Sequence, residues 1–254
     1  MIKELQMNDL GSFVDMVTEI TAEQNYRVWY RGQSDYSWGL VPSIQRIKNL
    51  GEHNEQYTTT NFMIQTMRLN HNAPQQYDRA AWLTLMQHYG LPTRLLDWSE
   101  SPLVALYFAL SRPCDADAAV WVLNPMKLNE RVGYGAYVPP ISYGSLTGDL
   151  EGAFTDKADE KIQMQKRIVA CHGVGSNLRM YVQQSDFTIH SSTEQLDQIL
   201  TSDESCDYLY KIRIPRAIKA TLWNQLDIIG FHASTIYPDM EHIAEEQREV
   251  HLNF

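Results

Sequence analysis

The chain is poor in cysteine. Its three, Cys114, Cys171 and Cys206, are widely spaced and form no paired or metal-type pattern, which excludes a disulfide framework and reads as packing residues in a reducing compartment. Long apolar runs are missing as well. No segment approaches membrane-spanning length, and the first residues, Met-Ile-Lys-Glu-Leu, carry charges where an export signal needs an apolar stretch. An unexported, cytoplasmic protein without membrane contact is expected. Basic residues are outnumbered, 21 Lys and Arg against 31 Asp and Glu, for a formal charge of −10. That balance disfavours nonspecific polyphosphate binding, which depends on neutralising phosphates, but leaves room for a local basic cleft. It favours a protein or small molecule as partner.

Several chemical signatures are absent too. There is no P-loop, dinucleotide glycine fingerprint or paired-cysteine zinc motif, and Gly133-Tyr134-Gly135 lacks the third glycine and a preceding strand. The run from Gly144 to Gly148 places Ser145 one position too early for a nucleophile elbow. The eight histidines are scattered, and no metal-ligand set is read from their spacing.

What is present fits one large soluble domain over residues 1–254, with 44% apolar and 20% charged residues. The most informative stretch runs from Gln87 to Ala109. Gly90 and Pro92 stop one helix, Ser101-Pro102 starts the next, and Thr93, Arg94, Asp97, Trp98, Ser99 and Glu100 lie between as a polar turn. The following helix, Leu103 to Leu110, is apolar on every side and reads as buried. Two readings of the turn stand: a rigidly held site, or a buried Arg94–Asp97 pair that locks a loop, with Asp97 as the lock.

Elsewhere Asn8 is placed to cap a helix carrying Leu10, Phe13, Val14, Val17 and Ile20. A strand is expected over Tyr26 to about Arg31, and there Gly32 allows close approach of a ligand or another backbone. Arg31 offers a planar fork for phosphate or carboxylate, or a partner for an internal carboxylate. The loop of residues 34–43, with Tyr36 and Trp38, is a candidate pocket wall. Helices are expected from about Glu55 to Leu69 and Asp78 to Tyr89, the latter with His88 in its last turn as a capping residue. A doubly buried strand follows over Ala118–Leu123, and residues 129–152 read as a long irregular insertion. Further expectations are a helix from Asp156 to about Cys171 and a strand pair or broken strand over Arg179–His190. A capping box at Ser192–Gln195 is expected before a short helix, with a strand through Tyr208, Tyr210, Ile212 and Ile214 after it. A helix from Pro215 closed by Gly230 and a charged final helix after Asp239 complete the chain. The fold class is α+β, a small mixed sheet built from strands near residues 28, 120, 182 and 210 and surrounded by helices.

Four blocks in order, Trp29–Gln33, His88–Ser99 with Ala105–Ala109, Gln184–Ile189, and Ile229-Gly230 with Tyr237–Glu241, resemble the FRG domain family over about residues 25–245. FRG domains occur in bacterial and phage-conflict proteins, so the resemblance implies a toxin or phage-defence effector. Their motif layout is similar to that of ADP-ribosyltransferases, which implies such a fold and NAD as the substrate of a transferase or glycohydrolase. On that resemblance Arg31 holds a phosphate or ribose of the dinucleotide, and Gly32, Gln33, His88, Thr93, Arg94, Asp97, Ser99, Tyr107 and Gln184 shape its site. Breaking the glycosidic bond of NAD builds positive charge on the ribose, so a carboxylate is needed nearby. Here the sequence departs from the pattern. Gln183-Gln184 stands where a transferase would offer its glutamate on a late strand, leaving Asp239 or Glu241 to join Arg31 in catalysis. The rival readings are a noncatalytic nucleotide- or ligand-binding module using the same cleft, and a structural protein with Arg31, Arg94 and Asp97 in a buried polar network.

Overall fold

Two periodicities organise the chain in the computed structural model, which describes residues 2–49, 51, 54–69, 71–155, 166–173, 177–203 and 206–252. Residues alternating between the two faces of a sheet form the strands β1 (Lys3–Gln6), β2 (Trp29–Gln33), β3 (Leu95–Ser99), β4 (Ala118–Leu123), β5 (Ile168–His172), β6 (Ser185–His190) and β7 (Leu209–Ile214). The helices are α1 (Leu10–Gln24), α2 (Asn54–Leu69), α3 (Arg79–His88), α4 (Pro102–Leu110), α5 (Pro125–Arg131), α6 (Thr147–Glu151), α7 (Leu178–Gln183), α8 (Leu196–Thr201), α9 (Lys219–Ile228), α10 (Ala233–Ile236) and α11 (Met240–Leu252). None of the described helices is long and apolar enough to cross a membrane.

The seven strands form one mixed sheet in the order β1-β7-β4-β2-β3-β6-β5, in which only the edge pair β1–β7 is parallel. A mixed sheet with surrounding helices agrees with the expected class, but the sheet is larger than expected. On one face the apolar side chains fall into two clusters. Tyr30, Val120, Val122, Tyr210 and Ile212 pack under α1, α4 and α9, whereas Leu95, Val169, Phe187 and Ile189 pack under α3 and α6. The opposite face carries one cluster, in which Trp29, Trp98 and Trp121 meet Leu40, Leu128, Leu196 and Leu200.

Helix ends follow their sequence signals closely. Ser101 caps α4 with Pro102 at its first turn, and Gly90, at φ 75°, takes the left-handed conformation that ends α3. The α1 cap is Asp9, one residue past Asn8, because Asp9 and Ser12 satisfy each other's backbone N–H groups at 2.7 and 3.0 Å.

Five segments differ from expectation. Residues 95–99 are a strand and not a turn, held by five register pairs with β6. Ile168–His172, read as the end of a helix, is a strand, since its run Ile-Val-Ala-Cys is buried on both faces of the sheet. Residues 156–165 of that expected helix lie outside the described residues. Leu178–Gln183 is a helix capped by Asn177, with Gln184 at φ 47° ending it, so the strand begins only at Ser185. The short helix after Ser192 starts at Leu196, with Gln195 as its cap. Residues 129–152 are less irregular than expected, containing the end of α5 and all of α6.

Candidate functional site

The sheet is nearly severed in its middle. β2 shares five register pairs with β4, and β3 shares five with β6, but β2 and β3 share only Tyr30↔Ser99. Where those two strands part, a cleft of about 280 Å³ opens between them, bounded by α4 on one side and by Trp38 on the other. Its volume is at the lower end of the range for small-molecule sites.

Arg31 enters this cleft from β2. Its Nη1 donates to the Asp97 carbonyl oxygen at 2.6 Å and lies 4.0 Å from the Asp97 carboxylate, so the side chain spans the gap between the parted strands. Its Nε is buried and has no hydrogen-bond partner among the described residues. Burial lowers the guanidinium pKa to about 10; attraction to Asp97 opposes this, and repulsion from Arg46 and Arg112 adds to it. The group remains cationic at neutral pH. Arg46, Arg112 and Arg179 also line the cleft, and Asp97 is its one carboxylate among the described residues. A protein of charge −10 thus concentrates four arginines in one place.

Asp97 is aimed by a chain of polar contacts. Gln87 Nε2 donates to its Oδ2 at 2.6 Å, and Gln87 Oε1 accepts from the Thr93 hydroxyl at 2.5 Å. Thr93 is fully buried; its hydroxyl accepts from Leu95 N, and its backbone N–H donates to the Ser43 hydroxyl. Thr93 therefore acts behind the cleft wall, two contacts from Asp97, and does not line it.

The expected Arg94–Asp97 pair does not form. Three residues apart on extended chain, their side chains point to opposite faces. Arg94 instead forks onto Glu55 of α2 at 3.0 and 2.7 Å, and Asp97, expected as a buried lock, has a side chain 51% exposed in the cleft. The buried three-member network of Arg31, Arg94 and Asp97 is thereby corrected as well.

Of the remaining expected site residues, Gly32, Gln33 and Ser99 line the cleft. Gln33 has both ends of its amide engaged, by Trp121 at 2.7 Å and by the Gly39 carbonyl at 2.9 Å, and the Ser99 hydroxyl donates to the Gln183 carbonyl at 2.6 Å. Tyr107 is in the core against Trp223, where burial raises its hydroxyl pKa to about 12; its neighbour Phe108 faces the cleft instead. His88 lies behind the lining against Asn177 at 2.9 Å, with burial and Arg179 lowering its pKa. Gln184 terminates α7, and its carbonyl accepts from Glu100 N.

Neither late carboxylate is among the residues that line the cleft. Asp239 accepts from the backbone N–H and the ring of His242 at the start of α11, and those bonds hold its pKa below the usual value. Glu241 is exposed in the first helical turn, and it is Tyr237 that projects onto the cleft rim, with Arg179 stacked 4.6 Å over its ring.

Arg46, Arg112, Arg179 and Gln87 were not among the candidate site residues that the sequence suggested. The three arginines are isolated in the sequence and converge only through the fold. Gln87 did carry a signal, as the first residue of the stretch that Thr93 and Asp97 belong to.

Fold and site together define an α/β protein with an arginine-lined cleft in a parted mixed sheet. The model of the FRG domain family matches residues 26–118, so the chain carries an FRG domain. That span runs from just before β2 to the start of β4 and contains Arg31, Gln87, Asp97 and Arg112, whereas Arg179, Gln183, Ser185 and Tyr237 lie outside it. No curated protein and no solved structure matches the chain.

Proposed function

We propose that the cleft binds a nucleotide through its phosphates, with NAD as the ligand that the FRG resemblance implies. The observation that carries this reading is Arg31, a buried cation with an unpartnered Nε, surrounded by three further arginines at the one place where the sheet parts. Guanidinium forks match phosphate oxygens in both charge and geometry. The residues present therefore fit a pyrophosphate, and Trp38, Phe108 and Tyr237 offer aromatic surface beside it.

Cleavage of the glycosidic bond of NAD, the chemistry implied by the resemblance, needs a carboxylate where positive charge grows. In this cleft that role falls to Asp97, positioned by Gln87, and not to Asp239 or Glu241. That neither late carboxylate lines the cleft favours a second reading, a noncatalytic nucleotide-binding module.

Thermal denaturation of the full chain with NAD, ADP or pyrophosphate, followed by an assay for nicotinamide release, separates the two. All three ligands should raise the midpoint in a concentration-dependent way. Release by the wild type but not by Asp97→Asn supports the enzyme, and stabilisation without release supports the binding module. No shift with any of them at millimolar concentration removes both.

A further inference from the structure

A second polar cluster lies where three strands end. Glu100 directly follows β3, His172 ends β5 and Asp186 lies at the start of β6, and sheet register places His172 opposite Asp186 and Trp98 opposite Asp186 from the other side. One ligand atom from each of the three lies within 4.8 Å of the other two. Glu100 and Asp186 immediately follow Ser99 and Ser185, two residues of the cleft, but neither lines it.

The chemistry of this cluster is not that of an ordinary surface ion pair. Asp186 is 5% exposed, and its Oδ1 is fixed by His172 Nδ1 at 3.0 Å and Gly173 N at 3.1 Å. The His172 ring is braced edge-on against Trp29, with centroids 5.7 Å apart. Glu100 brings a second carboxylate, whose partner Arg27 has a side chain 80% exposed and so compensates little of its charge. Two carboxylates and one imidazole thus converge on one point where the strands end.

We propose that Glu100, His172 and Asp186 bind one divalent first-row transition ion, of the manganese or zinc type. A mixed nitrogen and oxygen set suits these ions, whereas magnesium and calcium prefer oxygen alone. Three protein ligands leave further coordination positions for water. Sequence spacing hides the set, because its members are 72 and 14 residues apart and meet only through strand pairing.

The test uses the full chain, stripped with EDTA and then titrated with Mn²⁺, Zn²⁺ and Mg²⁺, with bound metal counted per chain and the thermal midpoint followed. One Mn²⁺ or Zn²⁺ per chain and a rising midpoint are expected, with affinity falling at least tenfold in both His172→Gln and Glu100→Gln. Asp186→Asn should lose the site too; should that buried substitution prevent folding, the other two variants decide. No binding of either ion at millimolar concentration overturns the proposal, as does binding unchanged in both variants or a preference for Mg²⁺. Metal counting does not depend on nucleotide binding, so this outcome and that of the cleft experiment are independent.

Discussion

A Cβ placed on Gly32 would lie 1.9 Å from the carbonyl oxygen of Ala105 and 2.5 Å from the backbone nitrogen of Ala109. The strand bearing Arg31 thus packs backbone to backbone on α4, and the close approach that Gly32 permits is to a helix and not to a ligand. Both atoms belong to main chain within a buried helix, so neither can yield locally. Gly32→Ala should therefore destabilise the fold by about 3 kcal/mol or more, the upper range for overpacking. Urea denaturation checks this, and a loss under about 1 kcal/mol, the lower end of that range, would show that α4 is free to shift.

Thr93 makes a different kind of contribution. Thr93→Val keeps the shape but removes both the acceptor for Leu95 N and the donor that orients Gln87. A buried donor left unpaired costs about 1–3 kcal/mol. Nucleotide affinity should also fall, since Gln87 no longer holds Asp97 in place. Gln87→Leu should reproduce the affinity loss with a smaller stability cost, because Gln87 is only half-buried. Equal stability losses in the two variants would contradict this division of roles.

The Arg94–Glu55 pair ties β3 to α2 with side chains only 11% and 14% exposed. Removing one partner leaves the other charge uncompensated, so Arg94→Met should cost about 3–5 kcal/mol. Adding Glu55→Leu in the same chain should recover most of that loss. Denaturation of the single and double variants measures the coupling, and a double variant as unstable as the single one would assign Arg94 a role other than pairing.

How much of this was legible in the sequence depended on whether the signal was local. Ser101-Pro102, Gly90 and the apolar run at 118–123 act within a few residues, and α3, α4 and β4 appear where those signals place them. The FRG blocks single out Arg31, Asp97 and Ser99, which the fold brings to one cleft. Strand β3 was misread because Thr93, Asp97 and Ser99 carry turn chemistry, while pairing with β6, from Ser185 onwards, makes the segment extended. The same nonlocal pairing turned Ile168–His172 into a strand. Tyr107 and Phe108 show the limit most plainly: adjacent aromatics on one helix, they face the core and the cleft respectively, a difference of about 100° of helical rotation that only the packing of α4 decides.

Acid should reveal the state of His190. Trp98 Nε1 donates to the Thr188 hydroxyl at 3.1 Å, that hydroxyl pairs with His190 Nε2 at 3.0 Å, and His190 Nδ1 is buried with no hydrogen-bond partner among the described residues. Burial, together with the nearby Arg31 charge, lowers its pKa from 6.5 to about 3. Because the folded value lies below the unfolded one, the unfolded chain binds the proton throughout that interval and the native chain does not. This contribution to stability is complete above pH 6.5 and is lost as the pH falls towards 3, with a slope of up to about 1.4 kcal/mol per pH unit. Between about pH 7 and pH 5 the wild type should lose about 2 kcal/mol from this group. Other titrating groups contribute to the same curve, so the informative quantity is the difference from His190→Gln, whose amide can still pair with Thr188 but cannot titrate. Urea denaturation at the two pH values should give that variant the smaller loss; parallel losses would mean that His190 is already protonated in the native protein.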